Sequence, residues 1–340
     1  MHAAELTIDR AEASDIPGMA ALHNRIAADS VASFATEPEP PAVWLTSFAA
    51  TAATHPWLIA RAAGQLVGFA KAAPHKMRGA YAWTAELSVY VEPLAHGRGV
   101  GAALYAALLP TLRNQGYATL LAGIALPNAA SVRLHESFGL THAGTFQRAG
   151  FKFSAWRDVG YWQRHFHTGH AGLPPVAPVE THWLAMRLQG ESPTGPLARN
   201  LLDQADAELS ALYPEAGANH FSLAPAEVQP GRGAFLVGTA AAEAVACGAV
   251  RLLSAELAEI KRMFVVPAHR DKGLARRMLV ALEAHARQLG AERLVLETGD
   301  RQPDALRLYE RAGFGRTASF GDYRGSPHSL CMVKGLRGIV

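Results

Sequence analysis

Residues 86–109 read ELSVYVEPLAHGRGVGAALYAALL, and residues 260–283 read IKRMFVVPAHRDKGLARRMLVALE. Each stretch runs from an extended segment through a proline stop and a short polar turn into a helix-forming apolar period. In the first, alternation puts Glu86, Ser88 and Tyr90 on one strand face and Leu87, Val89 and Val91 on the other. Pro93 stops that strand, and the spacing predicts a helix over Val100–Gln115 closed by Gly116. The turn between them is His96-Gly97-Arg98-Gly99-Val100-Gly101, and its counterpart is Arg270-Asp271-Lys272-Gly273-Leu274-Ala275. A strand-to-helix turn of this kind presents backbone N–H groups beside the positive end of a helix dipole, which suits a pyrophosphate. Arg98 and Lys272 add positive charge at equivalent points. A dinucleotide-binding fingerprint would need its strand at the start of the domain and an acid ~20 residues on; the sequence has neither.

Working outward, the two stretches belong to a long internal repeat. Pro93 and Pro267, Gly99 and Gly273, Gly116 and Gly290, and Gly139 and Gly313 all lie 174 positions apart. At the same spacing His135-Glu136 matches Tyr309-Glu310, and Arg133-Leu134 matches Arg307-Leu308. A period this long marks a duplicated domain, since solenoid units repeat every ~20–50 residues. Between the halves, HTGHAGLPPVAPVE has no helical or strand periodicity, and its consecutive prolines favour an extended tether. The expected division is a first domain over 1–166, a linker over 167–181 and a second domain over 182–340.

Each half reads as an α/β (α+β) domain with a mixed central sheet and helices on both faces. In the first, strands are expected at Leu6–Arg10, 56–62, 66–71, 86–91, 120–125 and 159–166. Helices are expected from about Pro17, over Val100–Gln115, and over 128–138 ended by Gly139.

With 340 residues, 49% of them hydrophobic and 18% charged, the chain can build two packed cores. Its net charge of +3 comes without a Lys/Arg-rich run, so no nucleic-acid partner is expected. Cys247 and Cys331 are the two cysteines and form no CxxC or Cys/His cluster, so no metal site is expected. The first residues lack a secretory apolar core, and no stretch reaches the ~18 apolar residues of a membrane span. A cytoplasmic protein with no membrane partner is the expectation.

The turn Arg270–Ala275, R/Q-x-x-G-x-G/A before a helix, resembles the signature of the GNAT superfamily of N-acetyltransferases. The first copy departs from it at His96. The family's next motif falls on Asn128, His135 and Gly139, and in the second copy on Tyr309, Gly313 and Phe314, with Gln302-Pro303 near the Asn position. Residues 5–166 resemble the phosphinothricin N-acetyltransferases through SVASFATEPEP (30–40), AYAWTAELSVYV (80–91), GIALPNAASVRLHESFG (123–139) and AGFKFSAWRDVGYWQ (149–163). The second half resembles a GNAT subgroup of unassigned substrate.

The resemblance implies two tandem GNAT acyl-CoA N-acyltransferase folds using acetyl-CoA as cosubstrate. It implies that Glu86 accepts the proton of an attacking amine, since most alkyl amines are protonated at neutral pH. It places the donor along the main chain of Val89, Tyr90 and Val91, on the turn His96, Gly97, Arg98, Gly99, Val100 and Gly101, and at Asn128. In the second copy the donor contacts fall on Phe264, Val265, Arg270, Asp271, Lys272, Gly273, Leu274 and Ala275. His135 and Tyr309 stand where the family carries a proton donor for the departing thiolate. Phe34, Lys76, Arg78 and Tyr81 are the expected substrate contacts, the two cations meeting the anionic groups of a phosphinothricin-like amino acid. Ala82 departs from relatives acting on methionine sulfoximine, several of which have Arg there. Direct transfer without an acetyl-enzyme is expected, because holding both reactants together removes much of the entropic barrier.

For the second half the 174 spacing sets Ile260, not Glu259, opposite Glu86, which turns Glu259 to the other face. That half is therefore open to two readings: acetylation of a different amine, or a non-catalytic acetyl-CoA-binding or pseudo-dimer module. A small-molecule amine is the expected partner, and a homodimer or intramolecular pseudo-dimer is left open.

Overall fold

The computed structural model describes residues 6–166, 172–215 and 222–336, so part of the expected linker, 167–171, lies outside the described residues. The chain forms two compact units, Met1–Leu184 and Ala185–Val340.

In the first unit, β1 (Leu6–Arg10) leads into α1 (Ile16–Asp29), which buries Ile16, Met19, Leu22 and His23 along one face. Next comes α2 (Pro41–Thr51), whose apolar residues show no one-sided period and which the sequence pattern does not reveal. Its Trp44 joins Trp57, Ile59 and Phe69 in a buried cluster. A hairpin of β2 (Trp57–Ala62) and β3 (Gln65–Pro74) turns through Ala63 and Gly64, both at positive φ, as a two-residue hairpin loop requires. Then come β4 (Thr84–Val91), α3 (Val100–Gln115), β5 (Thr119–Leu126), α4 (Ala129–Ser137), β6 (Thr141–Lys152) and β7 (Ala155–His165).

The sheet order is β1-β2-β3-β4-β5-β7-β6, antiparallel except where β5 runs parallel to β4. Parallel neighbours need a crossover, and α3 supplies it. Leu104, Tyr105, Leu108 and Leu112 on α3 are completely buried, and truncating one such leucine to alanine costs about 2–5 kcal/mol. β6 is the one strand of this unit absent from the expectation. Its residues are nearly all exposed, so pairing with β7, and not an apolar alternation, makes it a strand. After β7 the chain stays with this unit: Trp83 Nε1 donates to Pro174 O (2.7 Å), and Ala177 N donates to Gln115 O (2.9 Å). A short helix, α5 (Val179–His182), then buries Val179 completely, so the described part of the proline-rich stretch is packed backbone and not a free tether.

The second unit repeats the plan. It comprises β8 (Arg187–Gly190), α6 (Pro196–Leu212), β9 (Gly233–Ala240), β10 (Glu243–Leu252), β11 (Leu257–Val265), α7 (Leu274–Gln288), β12 (Arg293–Gly299), α8 (Pro303–Arg311), β13 (Gly315–Arg316) and β14 (Ser329–Gly335). Its order is β8-β9-β10-β11-β12-β14-β13, with β11 and β12 the parallel pair. One feature breaks the copy. Between Lys261 and Phe264 the β10–β11 register slips by one residue, and Arg262 there has φ +57°.

Candidate active site

In each unit the parallel pair separates part-way along. The β4–β5 ladder covers Thr84–Glu86 against Thr119–Leu121 and then stops, while β3 stays paired with β4 as far as Val91. Glu92 N donates to Val67 O on the β3 side, so strand alternation turns the N–H groups of Val89 and Val91 toward the gap. Tyr90 directs its main chain to β3, and its ring packs on Phe69 and edge-on to His23. Burial raises the pKa of its phenol, against a hydrogen bond with Ser33 that lowers it.

The gap ends at the glycine turn. Gly99 caps α3 at φ +81° and Gly273 caps α7 at φ +81°, a conformation glycine adopts without penalty. Neither helix has an acid in its first turn, and the first N–H groups of any helix lack intrahelical partners. The departure at His96 is compensated: His96 Nε2 donates to Val91 O (3.0 Å), and Arg270 Nε donates to the equivalent Val265 O (3.0 Å). Both side chains therefore latch the turn to the end of the strand. Asp271 takes the left-handed place of Gly97.

Glu86 stands on β4 at the last paired position, its side chain 36% exposed. His75 Nδ1 lies 3.2 Å from Glu86 Oε2, and a carboxylate oxygen only accepts, so the histidine carries the hydrogen in that bond. The His75 ring packs edge-on against Tyr81, and Lys76 Nζ sits 5.4 Å from the centre of the same ring. His75 is a site residue the sequence reading missed. Tyr161 on β7 covers Gly123 on β5, and burial and then the charge of Glu86 raise its pKa. Lys76 and Arg78 are exposed on the loop after β3, and Phe34 is 38% exposed.

Two sequence-predicted residues are committed to the fold. Asn128 caps α4 by accepting from Ser131 N (3.1 Å). His135 is buried, and burial lowers its pKa. Its Nδ1 donates to Ser131 O (2.7 Å), so its Nε2 accepts from Tyr105 Oη–H (2.8 Å). Lys152 on β6 is buried and donates to Ala27 O (2.5 Å), Ser30 O (3.2 Å) and Ser33 O (2.8 Å). It thereby pins the loop that carries Phe34.

In the second unit, strand pairing corrects the register read from the repeat. Glu259 pairs with Val295 as Glu86 pairs with Leu121, and Ala258 and Ile260 take the buried face held by Ala85 and Leu87. Glu259, not Ile260, is the counterpart of Glu86, because the bulge at Arg262 adds one residue between it and Pro267. A second correction concerns the end of β11. Val266 N donates to Val245 O, so Phe264 faces β10 and the gap receives the N–H groups of Met263 and Val265. Gln302 begins α8 at the place of Asn128, its Oε1 accepting from Thr298 Oγ1 (2.9 Å) and Gly299 N (3.0 Å). Tyr309 is buried, its pKa raised by burial first, and its hydroxyl points to Met263 Sδ at 3.8 Å.

Two separated parallel strands, each with a glycine turn at the end of the gap, define an acyl-CoA N-acyltransferase type of fold. The chain belongs to the GNAT acetyltransferase family, with two such domains in tandem, and is an N-acetyltransferase. A model of the acetyltransferase (GNAT) family matches residues 199–314, and one of a GNAT acetyltransferase domain matches residues 31–160. A phosphinothricin N-acetyltransferase of Streptomyces viridochromogenes is 41% identical over 169 residues, covering 50% of this chain and 92% of that protein. An L-methionine sulfoximine/L-methionine sulfone acetyltransferase of Pseudomonas aeruginosa is 32% identical, covering 46% and 92%. A solved phosphinothricin acetyltransferase from Sinorhizobium meliloti, in complex with AcCoA, is 28% identical with a TM-score of 0.48, covering 51% of this chain and 94% of its own. Among the described residues no helix is long and apolar enough to cross a membrane.

Proposed function

We propose that the first unit transfers the acetyl group of acetyl-CoA directly to the amino group of a small amino-acid-like substrate. Phosphinothricin and methionine sulfoximine are the substrate types, as the names of the relatives suggest. The observation that carries the reading is the position of Glu86 at the last rung of the β4–β5 ladder, one side of it open to solvent. From there its carboxylate takes a proton from the substrate ammonium, and His75 holds it in place. The N–H groups of Val89 and Val91 lie along the gap and meet the donor, polarising the thioester carbonyl as its oxygen gains charge. The pyrophosphate lies on the turn His96–Gly101, where Gly99 and an acid-free first turn fit it. Lys76 and Arg78 meet the substrate's carboxylate and, in phosphinothricin, its phosphinate, and Phe34 and Tyr81 wall the pocket.

His135 has its ring nitrogens committed to Tyr105 and Ser131, which supports a role in holding α4 against α3 over one in thiolate protonation. The test is thiol release from acetyl-CoA with phosphinothricin and methionine sulfoximine as acceptors. Release with either, lost in Glu86→Gln, is expected; release that survives the substitution contradicts the assignment.

A further inference from the structure

The loop between α1 and α2 carries Phe34, and its backbone is tied on both sides of that residue. At the far end Asn24 Nδ2 donates to Glu39 O (2.9 Å), and Glu39 N donates to Asn24 Oδ1 (3.0 Å). Next to Phe34, Ser33 is buried, its Oγ 2.9 Å from His23 Nε2 and accepting from Ala35 N (3.2 Å). The main chain around Phe34 is therefore held, while its side chain keeps an open side.

A further tie comes from the other end of the unit. β6 and β7 meet in a two-residue turn, Phe153 and Ser154, both at positive φ, which sets Lys152 at the hairpin tip. From there its ammonium holds the carbonyls of Ala27 and Ser30 at the end of α1, and that of Ser33. Carbonyls at a helix C-terminus lack intrahelical partners and sit at the negative end of the dipole, where a cation fits. Gly150 lies two residues before Lys152 and shares its strand face. The Phe34 ring fills the place of the missing side chain. A Cβ on Gly150 would stand 2.5 Å from Phe34 Cε2, 2.7 Å from Cζ and 2.9 Å from Cδ2. Carbon atoms in contact stay about 3.5–4.0 Å apart, so ring and Cβ exclude each other. Gly150 does not have a positive φ, so the ring, and not the backbone conformation, is what calls for glycine there.

We propose that Gly150 is a specificity-determining position of the first site and acts through Phe34: the absent side chain sets how far the ring stands back from the acceptor. The proposal rests on the reading of Phe34 as a wall of the acceptor pocket. A methyl group at 150 takes the seat of the ring. Because Lys152, His23 and Asn24 hold the loop, the ring yields and the main chain does not. The ring moves off β6 toward its open side, and the pocket narrows. The atoms displaced are the far end of one side chain, so the fold loses little while the acceptor loses room. Gly150 is thus a positioning residue, set on a different element from the residue it places.

The test measures kcat and KM of the full-length chain for phosphinothricin, for methionine sulfoximine and for the homologue of the latter with S-ethyl in place of S-methyl. For whichever of the first two is turned over, Gly150→Ala is expected to raise KM at least ~10-fold with kcat nearly kept. The kcat/KM of the ethyl homologue relative to the methyl one should fall in Gly150→Ala and rise in Phe34→Ala. Added to Phe34→Ala, Gly150→Ala should change KM by less than about twofold, because the ring it acts through is gone. The Kd for acetyl-CoA should stay the same in all three variants. An unchanged KM in Gly150→Ala, a rise of equal size in the Phe34→Ala background, or a shared loss of acetyl-CoA affinity overturns the proposal. Turnover of none of these amines by the unsubstituted chain removes the reading of the first site beneath it.

Discussion

In the first unit an acid lies at the mouth of the gap between parallel strands with a histidine as its neighbour; in the second, the acid at the same register point is enclosed by Arg251 and Tyr323. The other side of each gap hardly differs. Gly99 and Gly273 have the same conformation, His96 and Arg270 make the same bond to equivalent carbonyls, and two N–H groups face each opening. Backbone geometry builds the turn and the open strand edge, so they persist through wide sequence change. The surroundings of the two acids are made of individual side chains, and there the copies diverge.

The sharpest way to break the comparison is at the two acids. Glu86→Gln is expected to lower turnover with phosphinothricin or methionine sulfoximine by ~10²–10⁴-fold, leaving the Kd for acetyl-CoA nearly unchanged. Glu259→Ala is expected to act on stability, costing about 3 kcal/mol in denaturant unfolding, because it removes the buried carboxylate from Tyr323 and from Arg251, which keeps only the partly exposed Glu227. Equal effects of both substitutions on first-site turnover would erase the distinction. Gly273→Val forces a left-handed φ on a branched residue at about 1–2 kcal/mol of strain. It should reduce bound acetyl-CoA from two equivalents to one while first-site activity is kept.

The glycine turns and element ends were legible in the sequence because Pro93, Gly99, Gly116 and their partners mark the ends of elements, where those residue types fit. Strand-internal register was not. The fixed spacing misassigned Glu259, since a bulge inserts its extra residue at Arg262, a side chain with no turn signature. β6 was hidden because hairpin pairing and exposed residues define it, and α2 because its apolar residues lack a one-sided period. His75 begins the loop after β3 and meets Glu86 on the neighbouring β4, and a contact closed by a loop has no local pattern to betray it.

Smaller effects refine the picture. His75→Phe removes one hydrogen bond to a charged group, worth about 1.5 kcal/mol, so kcat/KM should fall roughly tenfold. A kcat/KM left unchanged would make His75 a packing residue. Outside both sites, burial lowers the pKa of His55 to about 4. Above the unfolded value of about 6.5 this group leaves stability independent of pH. As pH falls from there to about 4 the unfolded chain binds the extra proton, so Tm should decline, and less steeply in His55→Gln.

The central claim is that both gaps hold the same donor. Calorimetric titration of the intact chain with acetyl-CoA measures this directly: the account predicts two equivalents per chain, dropping to one in Gly273→Val. No heat in the intact protein, or one equivalent untouched by Gly273→Val, would contradict it.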